Sequence, residues 1–210
     1  MPVITRIIEQ KRSPRRRSVY LDGRFAFGCN VNVIARFRLR EGMALSEAAV
    51  GSILQGEVRQ ECFDAAVKML QSRLHARMEL RRKLMRREYA ESMVDEVLAD
   101  LTRLGYVDDT RFAKTVTLAA AEHRQHGRQR AMVELLRRGV EKETARRAVQ
   151  DVYEATDSLA IARRLAEKRA ASLKRLDPIV ARRRLAGMLA RRGFEYDVVK
   201  PVIDEVLGDV

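Results

Sequence analysis

Along the last two thirds of the chain, apolar residues recur at helical spacing in three blocks that match one another. Residues 84–101, 135–152 and 189–206 align without a gap, and their first leucines, Leu84, Leu135 and Leu189, stand 51 and 54 residues apart. Each block opens with Leu, any residue and Arg-Arg, followed by Gly or Glu, an apolar residue and a polar run. The second half of each block then places Val94, Val97, Leu98, Leu101; Ala145, Ala148, Val149, Val152; and Val199, Val202, Ile203, Val206 at i, i+3, i+4, i+7. That spacing predicts one apolar helical face, repeated three times. Gly139 and Gly193 stand where the left-handed conformation closes a helix without a Cβ penalty, and Glu88 takes that position in the first block. Each block therefore reads as helix, tight turn, helix. A further helix precedes each pair, over 61–73, 110–124 and 158–171, and three tandem three-helix units result. Pro201 removes a helical hydrogen bond and predicts a kink or a late helix start.

The first 45 residues follow another pattern. Ile4, Ile7 and Ile8 lie among polar residues, a basic stretch over 12–17 contains Pro14, and Asp22-Gly23 separates two β-prone runs. An Asp-Gly step in that setting predicts a type I′ hairpin turn, so a small three-stranded element ends near Cys29. A short helix over 31–37, a turn at Arg40-Glu41-Gly42 and a helix start at Ser46, with Glu47 in its first turn, follow. The expected fold is mainly α: three tandem three-helix repeats forming an elongated curved stack, preceded by a small N-terminal β-hairpin or three-stranded element. The expected domains are 1–45 (β element and short helix), 46–103, 104–154 and 155–210 (helical repeats).

Composition narrows the class of function. Apolar residues reach 46% but aromatic ones only 5%, with no Trp, which suits helix packed on helix. Charged residues reach 34%, and 42 Lys plus Arg against 29 Asp plus Glu leave a net charge of +13. Such an excess attracts polyanions, although a well-solvated helical surface also carries many charges. Cys29 and Cys62 are far apart and outside any CxxC pair, which points to free thiols and a reducing compartment. The charged first ten residues lack the apolar core of a secretion signal, and no stretch approaches the ~20 apolar residues that span a bilayer. The expectation is a soluble, cytoplasmic protein without membrane association.

Motifs with catalytic potential dissolve into simpler readings. Gly23 and Gly28 have phosphate-loop spacing, but Cys29 and Asn30 replace the Lys and Ser or Thr that such a loop uses. His123 and His126 lack the third ligand that zinc requires, and a solvated helix end explains them. Asp108-Asp109 suits the start of a helix better than a metal pair. No Ser/His/Asp or Cys/His constellation is visible. Catalysis, a metal, a cofactor and a small-molecule substrate are therefore not expected.

The arginines are the candidates for function. Arg81, Arg82, Arg86 and Arg87; Arg128, Arg130, Arg137 and Arg138; and Arg182, Arg183, Arg184, Arg191 and Arg192 all fall on the predicted middle helix of their repeats. Repetition would array these guanidinium groups, which suit bidentate contact with carboxylate or phosphate, along one binding face. Intrahelical pairing and compensation of the helix dipole are the competing explanation for the Arg-Arg pairs.

The stretch Gly105-Tyr106-Val107-Asp108-Asp109-Thr110-Arg111-Phe112-Ala113, with Gly127-Arg128-Gln129-Arg130 and Glu134-Leu135-Leu136-Arg137-Arg138-Gly139-Val140, resembles the central repeat of RecX regulatory proteins. Arg192-Gly193-Phe194-Glu195-Tyr196-Asp197 is similar to the last repeat of that family, and residues 20–28 to its N-terminal extension. The resemblance implies a non-catalytic protein that lies in the groove of the RecA recombinase filament and restrains ATP hydrolysis and strand exchange. It also implies weaker binding to single- or double-stranded DNA. Glu88 and Pro201 depart from the family pattern. A stand-alone DNA-binding module of helical repeats is the other reading of the same basic surface.

Overall fold

Asp22 and Gly23 adopt φ of 48° and 82°, the two positive values that a type I′ turn requires. They fold β2 (Ser13–Leu21) back along β3 (Arg24–Asn30), and β1 (Ile4–Gln10) pairs with the other edge of β2, giving an antiparallel sheet in the order β1-β2-β3. This is a computed structural model in which residues 1–173 and 175–208 are described. One face of the sheet buries Ile4, Val19 and Phe27 against Val33, Leu39, Leu45 and Ile53. Asn30 caps the short α1 (Val31–Arg36), and Ser46 caps α2 (Glu47–Ser72) by accepting from the Ala49 amide at 3.1 Å. Helix α2 is a single element that starts well before residue 61, because that Ser46 cap lets the helix propagate unbroken.

The chain divides into two compact units, Met1–Arg73 with Leu80–Leu104, and Leu74–Glu79 with the chain from Gly105 onward. Helix α3 (Arg77–Met85) has residues in both, and α4 (Glu91–Arg103) completes the first, burying Val94, Val97, Leu98 and Leu101. In the second unit α5 (Asp109–Glu122), α6 (Arg128–Arg138) and α7 (Lys142–Glu154) share a core of Phe112, Leu135, Val149 and Val152. Helices α8 (Ser158–Ala170), α9 (Pro178–Arg191) and α10 (Tyr196–Leu207) share another, around Ile161, Leu185, Leu189 and Ile203. The repeated apolar faces are thus the buried faces of α4, α7 and α10, with Val206 only partly covered. Leu84, Leu135 and Leu189 are each fully buried, and shortening such a leucine to Ala costs about 2–5 kcal/mol.

The turns inside the three blocks are left-handed at Glu88 (φ 65°), Gly139 (φ 89°) and Gly193 (φ 87°). Glu88 therefore keeps the backbone of a glycine despite its Cβ. Two expectations need correction. Arg86 and Arg87 lie beyond the end of α3 and Arg192 is the residue after α9, so these three are not on middle helices; the left-handed residues stop each helix earlier. Of the kink or late start expected at Pro201, the late start does not occur: helix α10 begins at Tyr196 and runs through the proline, with buried Val199, Val202 and Ile203 on either side of it.

Candidate polyanion-binding cleft

Helix α6 begins after Gly127, which has no side chain with which to cap it. Its first amides are satisfied by main chain from far along the sequence. The Gly127 N–H donates to the Arg192 carbonyl at 2.8 Å and the Gln129 N–H to the Gly193 carbonyl at 3.1 Å. Those carbonyls lie just past the end of α9, so the electropositive start of one helix meets the electronegative end of another. The approach depends on two glycines: a Cβ on Gly127 would fall 2.2 Å from the Gly193 oxygen, and one on Gly193 would fall 2.4 Å from the Arg130 nitrogen. Arg130 Nη1 donates to the Arg191 carbonyl at 2.9 Å and Arg192 Nη1 to the Arg124 carbonyl at 3.0 Å, tying the junction from both sides.

Beside this junction opens a cleft of about 600 Å³, lined by Arg124, Arg130, Glu134, Arg137, Arg138 and Arg191 among others. Glu134 is the one carboxylate among its lining residues, and it is fully engaged. Arg124 holds both its oxygens at 2.8 and 2.7 Å, and Arg138 donates to it at 2.9 Å. Burial alone would raise the Glu134 pKa, but the Arg124 and Arg138 contacts overcome it and hold the carboxyl below its ordinary value. Arg138 also reaches Glu79 at 3.8 Å and stands over the Phe112 ring at 5.8 Å. Five arginines against one occupied carboxylate leave the cleft strongly positive. A second hollow of about 500 Å³, lined by Arg169, Arg183, Arg184 and Arg191, shares Arg191 with the first.

His126 also lines the cleft, and its buried Nδ1 has no hydrogen-bond partner among the described residues. Burial pushes its pKa below the usual imidazole value, and Arg130, Arg124 and Arg192 push it the same way. The solvated helix end expected for both histidines is therefore correct for exposed His123, whereas His126 is half-buried in the loop before α6 and lines the cleft. Of the Asp108-Asp109 pair, Asp108 caps α5 by accepting from the Thr110 and Arg111 amides, whereas Asp109 accepts from the Arg77 amide at 2.7 Å.

The predicted arginines meet different fates. Arg130, Arg137, Arg138 and Arg191 come together at the first cleft, and Arg183 and Arg184 at the second hollow. Arg128 lines a neighbouring hollow with Val133 and Arg146. In the first unit Arg81 is held by Asp95 at 2.8 Å and by Glu91, while Arg82, Arg86 and Arg87 are exposed. Arg182 pairs with Asp204. Arg138 and Arg192 are half-buried, whereas Arg137 and Arg191 are exposed. Sequence reasoning missed Arg124, His126, Glu134 and Arg169; only Glu134, four residues before Arg138, carried a readable i,i+4 signal. Both cysteines are buried and burial raises each thiol to about 11, leaving them protonated at neutral pH. Among the described residues no acidic, His or Cys cluster is placed to hold a metal, and no helix is long and apolar enough to cross a membrane.

Residues 2–46 match the regulatory protein RecX N-terminal domain, 62–101 the first RecX three-helix domain and 155–203 the third. The chain belongs to the RecX family. The regulatory protein RecX of Leuconostoc mesenteroides is 28% identical over 209 residues, covering 100% of this chain and 78% of its own length. That of Bacillus subtilis is 26% identical over 206 residues, covering 98% of this chain and 78% of its own. In three dimensions the crystal structure of a regulatory protein RecX superposes with a TM-score of 0.83 at 22% identity, covering 97% of this chain and 100% of that one. RecX from Lactobacillus salivarius gives 0.65 at 22% identity over 72% of this chain and 97% of its own. This chain shares its fold with these structures and is itself mostly helical with an N-terminal three-stranded sheet; it is a RecX-family regulatory protein.

Proposed function

We propose that this RecX-family protein acts in the cytoplasm by binding the RecA recombinase filament, restraining its ATPase and strand exchange, and so modulating recombination and DNA repair. It acts by attachment and not by catalysis. The observation that carries the reading is the cleft beside α6 and α9, where four arginines of these middle helices and Arg124, just after α5, line one concavity. A recombinase filament offers such a surface both acidic side chains and DNA phosphate, and arginine binds either through paired hydrogen bonds. Contacts of this kind weaken with salt, and Z phosphates contacted on a single strand give a log-log slope of about −0.7Z.

The test is the ATPase of the recombinase on single-stranded DNA, with and without this protein. The expected result is slowing at substoichiometric amounts. An unaffected ATPase at equimolar amounts, together with tight binding to naked DNA, would replace this reading with that of a stand-alone DNA-binding module.

A further inference from the structure

Helix α6 carries exposed apolar residues that the arginine cleft does not explain. Val133 is 63% exposed and Leu136, one turn further on, is 41% exposed. A β-branched residue is a poor helix former, and one that stays in water gains nothing from burial, so Val133 adds little to the fold of this chain. It stands instead at a boundary. Val133 and Gln129 line both the cleft beside α9 and a hollow of about 710 Å³ against α7. The apolar lining of that α6–α7 hollow is Met132, Val133 and Val149, and Met132 and Val149 also pack into the core of the repeat. Around it Arg128 and Arg146 balance Glu154 and Glu195. All these residues belong to the second compact unit. The two concavities therefore form one surface, apolar and close to neutral toward α7, strongly positive toward α9.

Charge and polarity together select the occupant. A phosphate backbone satisfies the arginines of the cleft but sets its charges against Met132 and Val133, and neither concavity is lined by a Phe, Tyr or Trp on which an unpaired base could stack. A wholly apolar peptide fills the α6–α7 hollow and leaves the arginines uncompensated. A bilayer surface is too broad to enter either concavity. A helix with one apolar face and one acidic flank satisfies both halves at once. Its leucines at i, i+3, i+4 and i+7 lie on the hollow, and its carboxylates meet Arg137 and Arg191 across the Val133 ridge. Guanidinium groups bind such carboxylates through paired hydrogen bonds.

We propose that the exposed ridge of α6, with the α6–α7 hollow on which Val133 borders, docks an acidic amphipathic helix of a protein partner. This docking mode rests on the reading of the cleft as an attachment surface and gives that surface a partner chemistry. Its test contains no recombinase, so the two can fail separately. Full-length protein is titrated by fluorescence anisotropy with a labelled peptide of about 18 residues, roughly five helical turns, bearing Leu at i, i+3, i+4 and i+7 and Glu on its flanks. A scrambled peptide of the same composition and a labelled oligodeoxythymidylate are titrated beside it. The patterned peptide should bind more tightly than the scrambled one. Val133→Lys should weaken peptide binding about tenfold, the scale of one buried valine side chain, at an unchanged melting temperature. The same variant should bind the oligonucleotide as well as wild type or better, because it removes apolar surface and adds a cation. Val133→Leu should bind the peptide at least as tightly as wild type. A peptide with a benzophenone in place of one leucine should cross-link to α6 or α7. Equal binding of the two peptides, a Val133→Lys protein that binds the patterned peptide as wild type does, or cross-links confined to other elements would overturn the proposal. If those results came with a slowed recombinase ATPase, only this inference would fall. The expected peptide binding with an unaffected ATPase would uphold the docking site and remove the recombinase as its partner.

Discussion

The Arg-Arg pair that follows the first leucine of each of the three aligned blocks does two different things in the structure. In the second and third repeats the pair divides: Arg137 and Arg191 line the cleft, while Arg138 and Arg192 are half-buried and fastened to Glu134 and to the Arg124 carbonyl. In the first repeat both members, Arg86 and Arg87, sit exposed in the turn, and the nearby Arg81 is the one consumed by Glu91 and Asp95. One position of the motif thus serves packing and the other lines the cleft, but only where a neighbouring repeat supplies the second wall. A repeated motif fixes where a side chain leaves the backbone. Its neighbours decide whether it packs into the fold or lines a cleft.

Four measurements test how far the junction and its arginines set the second and third repeats apart from the first. The largest effect belongs to Gly193→Ala, which places a Cβ 2.4 Å from the Arg130 nitrogen at φ 87°. Left-handed strain of about 1–2 kcal/mol and overpacking of about 1–3 kcal/mol predict a loss of roughly 2–5 kcal/mol in urea unfolding. A loss under about 1 kcal/mol would show that the repeat junction yields easily.

Next come the arginines. Arg137→Glu and Arg191→Glu should each raise the concentration for half-inhibition of the recombinase ATPase about tenfold, the scale of one lost charge-assisted contact. Arg81→Glu should instead lower the melting temperature, through repulsion by Glu91 and Asp95, while leaving inhibition by the folded fraction intact. Equal inhibition by all three variants would remove the distinction between the repeats. Arg138 is left unaltered, since reversing it would set a third carboxylate beside Glu134 and Glu79 and confuse binding with folding.

A smaller gain is expected from Glu88→Gly. Relief of about 1–2 kcal/mol of left-handed strain, less about 0.5–1 kcal/mol of added chain entropy in the unfolded state, predicts stabilisation of about 0.5–1 kcal/mol. Thermal or urea unfolding checks it, and a destabilised variant would mean that the Glu88 side chain has a packing role in the first repeat.

The smallest effect is a pH dependence. Burial, reinforced by Arg130, Arg124 and Arg192, lowers the pKa of His126 below the 6.5 of an unperturbed imidazole. The unfolded chain therefore binds the proton more readily. Stability from this group is complete above pH 6.5 and declines as the pH falls from 6.5 toward the folded value. His126→Gln should flatten that part of the stability profile, and an unchanged slope would assign it to other groups.

Much of the architecture was legible because its signals are local. Asp22-Gly23, Ser46, Gly139 and Gly193 each announce a backbone conformation within a few residues, and the apolar faces of α4, α7 and α10 repeat at helical spacing. The arginines were legible as residue types but not as a site. Whether Arg81 or Arg137 faces a cleft depends on acids and helices elsewhere in the fold, as Asp95 and α9 show. Gly127 was legible only as part of a motif, because the carbonyls that receive the first amides of α6 lie more than sixty residues later. Arg169 carried no signal at all, since its place beside Arg183 and Arg184 comes from how α8 meets α9.

That distant capping has a consequence for the order in which the protein is made. Synthesis proceeds from the N-terminus, and segments fold as they emerge. Helix α6 is complete in sequence when Arg138 leaves the ribosome, yet the Arg192 and Gly193 carbonyls that receive its first amides have not been synthesised. Until they arrive, the start of α6 is satisfied only by water and frays. A nascent chain arrested before residue 192 should show rapid hydrogen exchange at Gly127 and Gln129, and release of the finished chain should close it.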